Sequence, residues 1–140
     1  MTVREQDLDA LSPILATFTI KQTTGVDDLK DANIGEPVIL TDDGEVGPTT
    51  DNAQLLGKLI GLTLTEKDDG ERLATVQVGG ICRLAITTTY PVAGNRVTCG
   101  AGGTVKQAPA LAVDDPAGGN VARGTVLSVN GTTDCLILLN

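Results

Sequence analysis

Histidine and tryptophan are absent from the 140 residues, and phenylalanine and tyrosine occur once each, as Phe18 and Tyr90. Without histidine the chain lacks the commonest general base, the usual partner of a Ser or Cys nucleophile and the commonest ligand of catalytic zinc. Paired carboxylates or lysine can still do acid–base chemistry, but no motif arranges them for it, and the sequence reads as that of a non-enzyme. The shortage of aromatics argues against an aromatic-lined cofactor pocket, a sugar platform or a base-stacking surface, all of which draw on large flat side chains.

Clustered positive charge is also missing. The ten Lys and Arg residues each stand alone against eighteen Asp and Glu, for a net charge of −8. Nucleic-acid binders need grouped cations to displace counterions, and an acidic surface is repelled by anionic lipid, so neither nucleic acid nor membrane is an expected partner. No run approaches the roughly 20 apolar residues that cross a bilayer. The opening Met1-Thr2-Val3-Arg4-Glu5-Gln6-Asp7 is too acidic for a secretion signal, which implies synthesis in the cytoplasm. The three cysteines, Cys82, Cys99 and Cys135, are odd in number and form no C-x-x-C pair. They are expected to be buried free thiols, with no metal or cofactor to hold.

What remains is aliphatic, and it is patterned for strands. Residues 14–21 are rich in β-formers, with Ala16, Phe18 and Ile20 on one face. Val38–Thr41, Leu55–Thr65 and Arg72–Val78 follow; Leu62, Leu64 and Ile60 alternate in the second, and Ala74, Val76 and Val78 in the third. Gly57 and Gly61 suggest a bulge or a close backbone approach. Gly79-Gly80 is expected to break the chain before a further strand over Ile81–Thr87, with Cys82, Leu84 and Ile86 on one side. Short strands are also expected at Arg96–Cys99, Thr104–Gln107, Ala122–Val129 and Asp134–Leu139, with a loop over Pro109–Gly119. One short helix capped by Asp28 and ended by Gly35 fits residues 29–31. Strands spaced this closely predict an all-β fold: a small antiparallel β-sandwich or barrel with long loops and at most one short helix. Residues 1–15 read as an extended N-terminal arm, disordered alone or ordered on binding a partner, and residues 16–140 as the β-rich domain.

Several motifs reduce to turn chemistry. Asp42-Asp43-Gly44, Asp68-Asp69-Gly70 and Asp114-Asp115-Pro116 lack the alternating acids and distal Glu of a calcium loop, and Asp before Gly or Pro is an ordinary reversal. Gly100-Ala101-Gly102-Gly103-Thr104 lacks the correctly placed lysine and following helix of a phosphate loop, so it reads as a hairpin connection. Asn130-Gly131 is a strong hairpin signal, which also accounts for the glycosylation-like Asn130-Gly131-Thr132. Tyr90 is the one aromatic suited to anchor an interface.

The order of these segments resembles a family. Pro37-Val38-Ile39-Leu40-Thr41, a turn, Thr49-Thr50-Asp51-Asn52, Leu56-Gly57-Lys58-Leu59-Ile60-Gly61-Leu62 and Val78-Gly79-Gly80-Ile81-Cys82-Arg83-Leu84 are laid out as in the head decoration (capsid cement) proteins of tailed bacteriophages. Gly94 to Asn140, with Gly124-Thr125-Val126-Leu127 and Asp134-Cys135-Leu136-Ile137-Leu138-Leu139, is similar to the wider group of head-fibre and decoration proteins. The likeness covers about 100 residues and leaves residues 1–35 unmatched. It implies a protein on the outer surface of the virion head, bound to the major capsid protein, trimeric at local three-fold positions and without catalytic residues. An N-terminal segment that adds to a capsid β-element is also implied, here through Thr2, Val3, Leu8, Leu11, Ile14 and Leu15. A tail, fibre-base or spike module, and a small β-barrel ligand-binding domain, are the alternatives.

Overall fold

The computed structural model describes residues 13–63, 72–110 and 121–140. Every regular element among them is a strand, apart from one 3-10 turn at Asp31–Asn33. The first strand, β1 (Ile14–Ile20), leads into a small hairpin of β2 (Gln22–Thr23) and β3 (Val26–Asp27). Thr24 and Gly25 form its two-residue reversal, both at positive φ, as the right-handed twist of a hairpin requires. β4 (Pro37–Asp42) and β5 (Glu45–Pro48) make the next hairpin, followed by β6 (Gly57–Leu62) and the long β7 (Leu73–Ala85). The order β1-β5-β4-β6-β7 closes on itself because β7 also pairs with β1, giving a five-stranded barrel. Its only parallel contact is the short one of β1 with β5.

β7 does not stop at Gly79-Gly80. The expected break is instead a bend inside one continuous strand of thirteen residues. Gly80 takes φ +89°, and the buried Gln77 side chain donates from Nε2 to the carbonyls of Gly79 and Ile81, at 3.1 and 3.0 Å, across the bend. Past that point β7 exchanges its barrel partners for β11 (Asp134–Leu139), which pairs with β10 (Thr125–Asn130). A hairpin of β8 (Val97–Gly100) and β9 (Thr104–Gln107) completes the fold, tied to β7's exit by a bridge from Val105 to Ile86.

Two aliphatic cores result. Ile20, Leu29, Val38, Val46, Leu59, Ala74 and Val76 fill the barrel. Leu84, Ile86, Val97, Val105, Val126, Ile137 and the three cysteines fill the second core. The alternation read from β1 holds, since Ile20 is buried and Phe18 packs on the barrel core while Thr17 and Thr19 are exposed. The same holds for Cys82, Leu84 and Ile86, which all point inward.

β6 departs from expectation. Ile60 is 40% exposed, whereas Leu59 is fully buried. The register slips between Leu59 and Gly61, so Ile60 is the extra residue of a bulge and the inward parity changes there. Leu59 and Leu62 can then both reach the core. Leu59→Ala should therefore cost about 3 kcal/mol in a denaturant titration, while Ile60→Ala should cost under about 1 kcal/mol.

The short helix at 29–31 is the other correction. Asp28 does not cap it; the 3-10 turn begins after Lys30, whose N–H donates to Asn33 Oδ1 at 2.8 Å. Leu29 is spent on the barrel core instead, at 1% exposure. Leu64, the Asp68-Asp69-Gly70 and Asp114-Asp115-Pro116 turns, and the loop over residues 111–119 lie outside the described residues. No helix among the described residues is long and apolar enough to cross a bilayer.

Candidate binding surface

Of the residues assigned to the arm, Thr2, Val3, Leu8 and Leu11 lie outside the described residues, and Ile14 and Leu15 open β1. Ile14 stands opposite Gly79 and Leu15 opposite Gln77 on β7. A β-carbon at Gly79 would lie 2.9 Å from Ile14 Cδ1, so the glycine makes the seat on which Ile14 rests. Both side chains nevertheless remain largely in water, at 61% and 51% exposure.

Among the described residues the strand edge beside them is open. β1 meets β5 only at Thr19 and Ile20, next to the Asp42-Asp43-Gly44 turn, whose Gly44 carbonyl accepts from the Thr19 N–H at 2.9 Å. Residues 14–18 run past that turn with β7 on one flank. On the other flank no strand among the described residues pairs with them. Such an edge offers main-chain donors and acceptors to an added strand.

The turn motifs that fall on described residues are placed as expected. Gly44 takes φ +65° and Asp43 N–H donates to the Asp42 carboxylate at 2.8 Å, so this acidic pair closes the β4–β5 reversal. The glycine-rich stretch joins β8 to β9, with Gly102 and Gly103 at positive φ, and Gly103 lies against the Glu36 carboxylate. Asn130 ends β10 and Gly131 opens the three-residue connection to β11. Tyr90 is partly exposed in the loop that follows β7.

Arg123 is the residue that sequence reasoning missed. Its backbone pairs with Val97 in both directions, and its guanidinium reaches back across the fold. Nη1 donates to the carbonyls of Leu55, at 3.2 Å, and Leu56; Nη2 donates to Val78 at 2.6 Å. Burial depresses its pKa by withdrawing water from the cation. The side chain also lines a shallow groove of about 460 Å³ with Ile39, Leu40, Ala53, Gln54, Leu55 and Leu56. A lone arginine in a Gly/Ala-rich stretch carries no spacing signal, and its partners stand 45 to 68 residues away.

The cysteines are buried free thiols, as expected. Burial pushes Cys99 and Cys135 up to about 12, with the neighbouring Cys82 and Asp134 adding to the shift at Cys135 and Arg83 opposing it. The unfolded thiols titrate near 9.0, so between about pH 9 and 12 the unfolded chain binds fewer protons than the folded one. These groups therefore leave stability unchanged below pH 9 and reduce it as pH rises through that window. Denaturation midpoints measured from pH 8 to 11 should fall at the alkaline end, and Cys99→Ala with Cys135→Ala should flatten the slope.

Comparison with protein-family models, with curated proteins and with solved structures finds no match to this chain.

Proposed function

We propose that the protein is a decoration (cement) protein that binds the major capsid protein on the outer surface of an assembled tailed-phage head and stabilises it. In this reading it is a homotrimer at local three-fold positions, with adhesion and not catalysis as its output. The observation that carries the reading is the flank of β1 that pairs with no other strand among the described residues, with Ile14 and Leu15 exposed at its start. A rigid barrel with an open strand edge suits main-chain addition to a neighbouring protein, and the order of sequence segments from Pro37 onward is the feature that resembles the family. Modest affinity per copy suffices, because trimerisation and repetition over a shell multiply it. A ligand of the assembled shell stabilises that shell against dissociation by mass action.

Sedimentation with expanded heads tests this directly. The protein should run as a trimer by light scattering and co-sediment with heads, and Leu15→Asp should weaken that binding about tenfold by placing a charge on the apolar edge. A monomer that stays in the supernatant would sink the proposal. Particle images with density on the tail would move the protein to another virion module.

A further inference from the structure

The groove beside Arg123 has the parts of a second docking site. Its wall carries Leu40, 53% exposed although it lies on a core-forming strand, next to Ile39, Ala53 and Leu56. A guanidinium has five N–H donors. The three carbonyl contacts of Arg123 occupy three of them, leaving two on a side chain that borders the groove. Among the described residues no carboxylate stands within ion-pairing distance of it. The cation is thus held in place and stripped of part of its water, yet lacks a counter-charge from this chain's described residues. A pre-positioned arginine fork with free donors selects carboxylates, and the adjoining leucines select an apolar neighbour to that carboxylate.

We propose that this groove binds an extended apolar segment of a partner protein, with an Asp or Glu carboxylate of that segment set against Arg123. Charge complementarity commits the site to an acidic-apolar peptide. An uncomplemented hydrophobic contact would leave the fixed cation unused. The chemistry stands apart from the shell reading, since it concerns a different surface and is tested without capsids.

The test is an NMR titration of the isotope-labelled full chain with the blocked peptide Ac-Val-Leu-Asp-Leu-NH2 and with its Asn analogue. Amide shifts should be confined to residues 39–40, 53–56 and Arg123, and the Asn peptide should bind about tenfold more weakly, the size expected for one charge-assisted hydrogen bond. Arg123→Lys should weaken binding about fivefold by removing the fork while keeping the charge. Leu40→Glu, at an exposed position, should abolish binding while leaving the melting curve in place, so the test does not depend on an Arg123 variant that folds. Equal affinity for the Asp and Asn peptides, no groove shifts at millimolar peptide, or unchanged binding by Leu40→Glu would overturn the proposal. So would concentration-dependent broadening of the groove signals without peptide, which would make a second copy the occupant.

Discussion

Arg123→Ala is expected to lower the unfolding free energy by about 4 kcal/mol, read as a drop in the denaturation midpoint at unchanged slope. Three carbonyls lose a charged donor at once: those of Leu55 and Leu56 ahead of β6, and that of Val78 just before the bend in β7. Each buried acceptor left without a partner costs about 1–3 kcal/mol, moderated here because water can enter from the groove. The arginine also ties the segment before β10 to both β7 and the approach to β6, so its loss loosens the junction of the two cores. Arg123→Lys should recover only part of the loss, because one ammonium cannot reproduce a planar fork spread over three acceptors. A loss under about 1 kcal/mol for the alanine variant would show that the clamp is incidental.

Gly57→Ala is expected to be as damaging, at about 4 kcal/mol, while Gly61→Ala in the same strand should be close to neutral. A β-carbon at Gly57 would stand 2.0 Å from the Gln77 carbonyl oxygen and 2.9 Å from its carbon. That obstacle is backbone at the end of the β6–β7 ladder, where Gln77 pairs with Lys58, and it cannot turn aside as the tip of a side chain can. At Gly61 nothing lies within 4 Å of the added carbon, and its φ is not in the left-handed region. The pair therefore separates close approach from the general weakness of glycine in strands, which both positions share. Circular dichroism melts of the two variants, side by side, make the comparison. Equal losses would mean that propensity and not contact sets the cost.

Much of the fold was legible because an aliphatic chain with frequent reversals writes its strands plainly. β1, β4, β8, β9 and β11 fall where alternation and turn residues put them. β5 was not legible, since Gly47 and Pro48 make half of its four residues and both are poor strand formers. It exists because the Gly44 turn folds it against β4, and tertiary pairing overrides propensity there. Gly79-Gly80 was misread for a related reason: paired glycines usually end a strand, but Ile14 occupies the space over one and Gln77 braces the bend at the other. Alternation groups Ile60 with Leu62 because it assumes no bulge, although Gly57 and Gly61 signal one. Of the candidate site, Ile14 and Leu15 were named from sequence, whereas the open flank beside them depends on where β5 begins. The groove at Arg123 depends wholly on contacts between distant segments.

β7 has one more consequence. Its first half is a stave of the barrel and its second half a wall of the other core, so each core holds a portion of the same thirteen residues in place. Loss of either would release hydrogen-bonding partners that the survivor needs, which removes half-melted species from the equilibrium. The amides beside the bend should accordingly exchange with deuterium last and only by whole-molecule opening, as though the protein had a single latch.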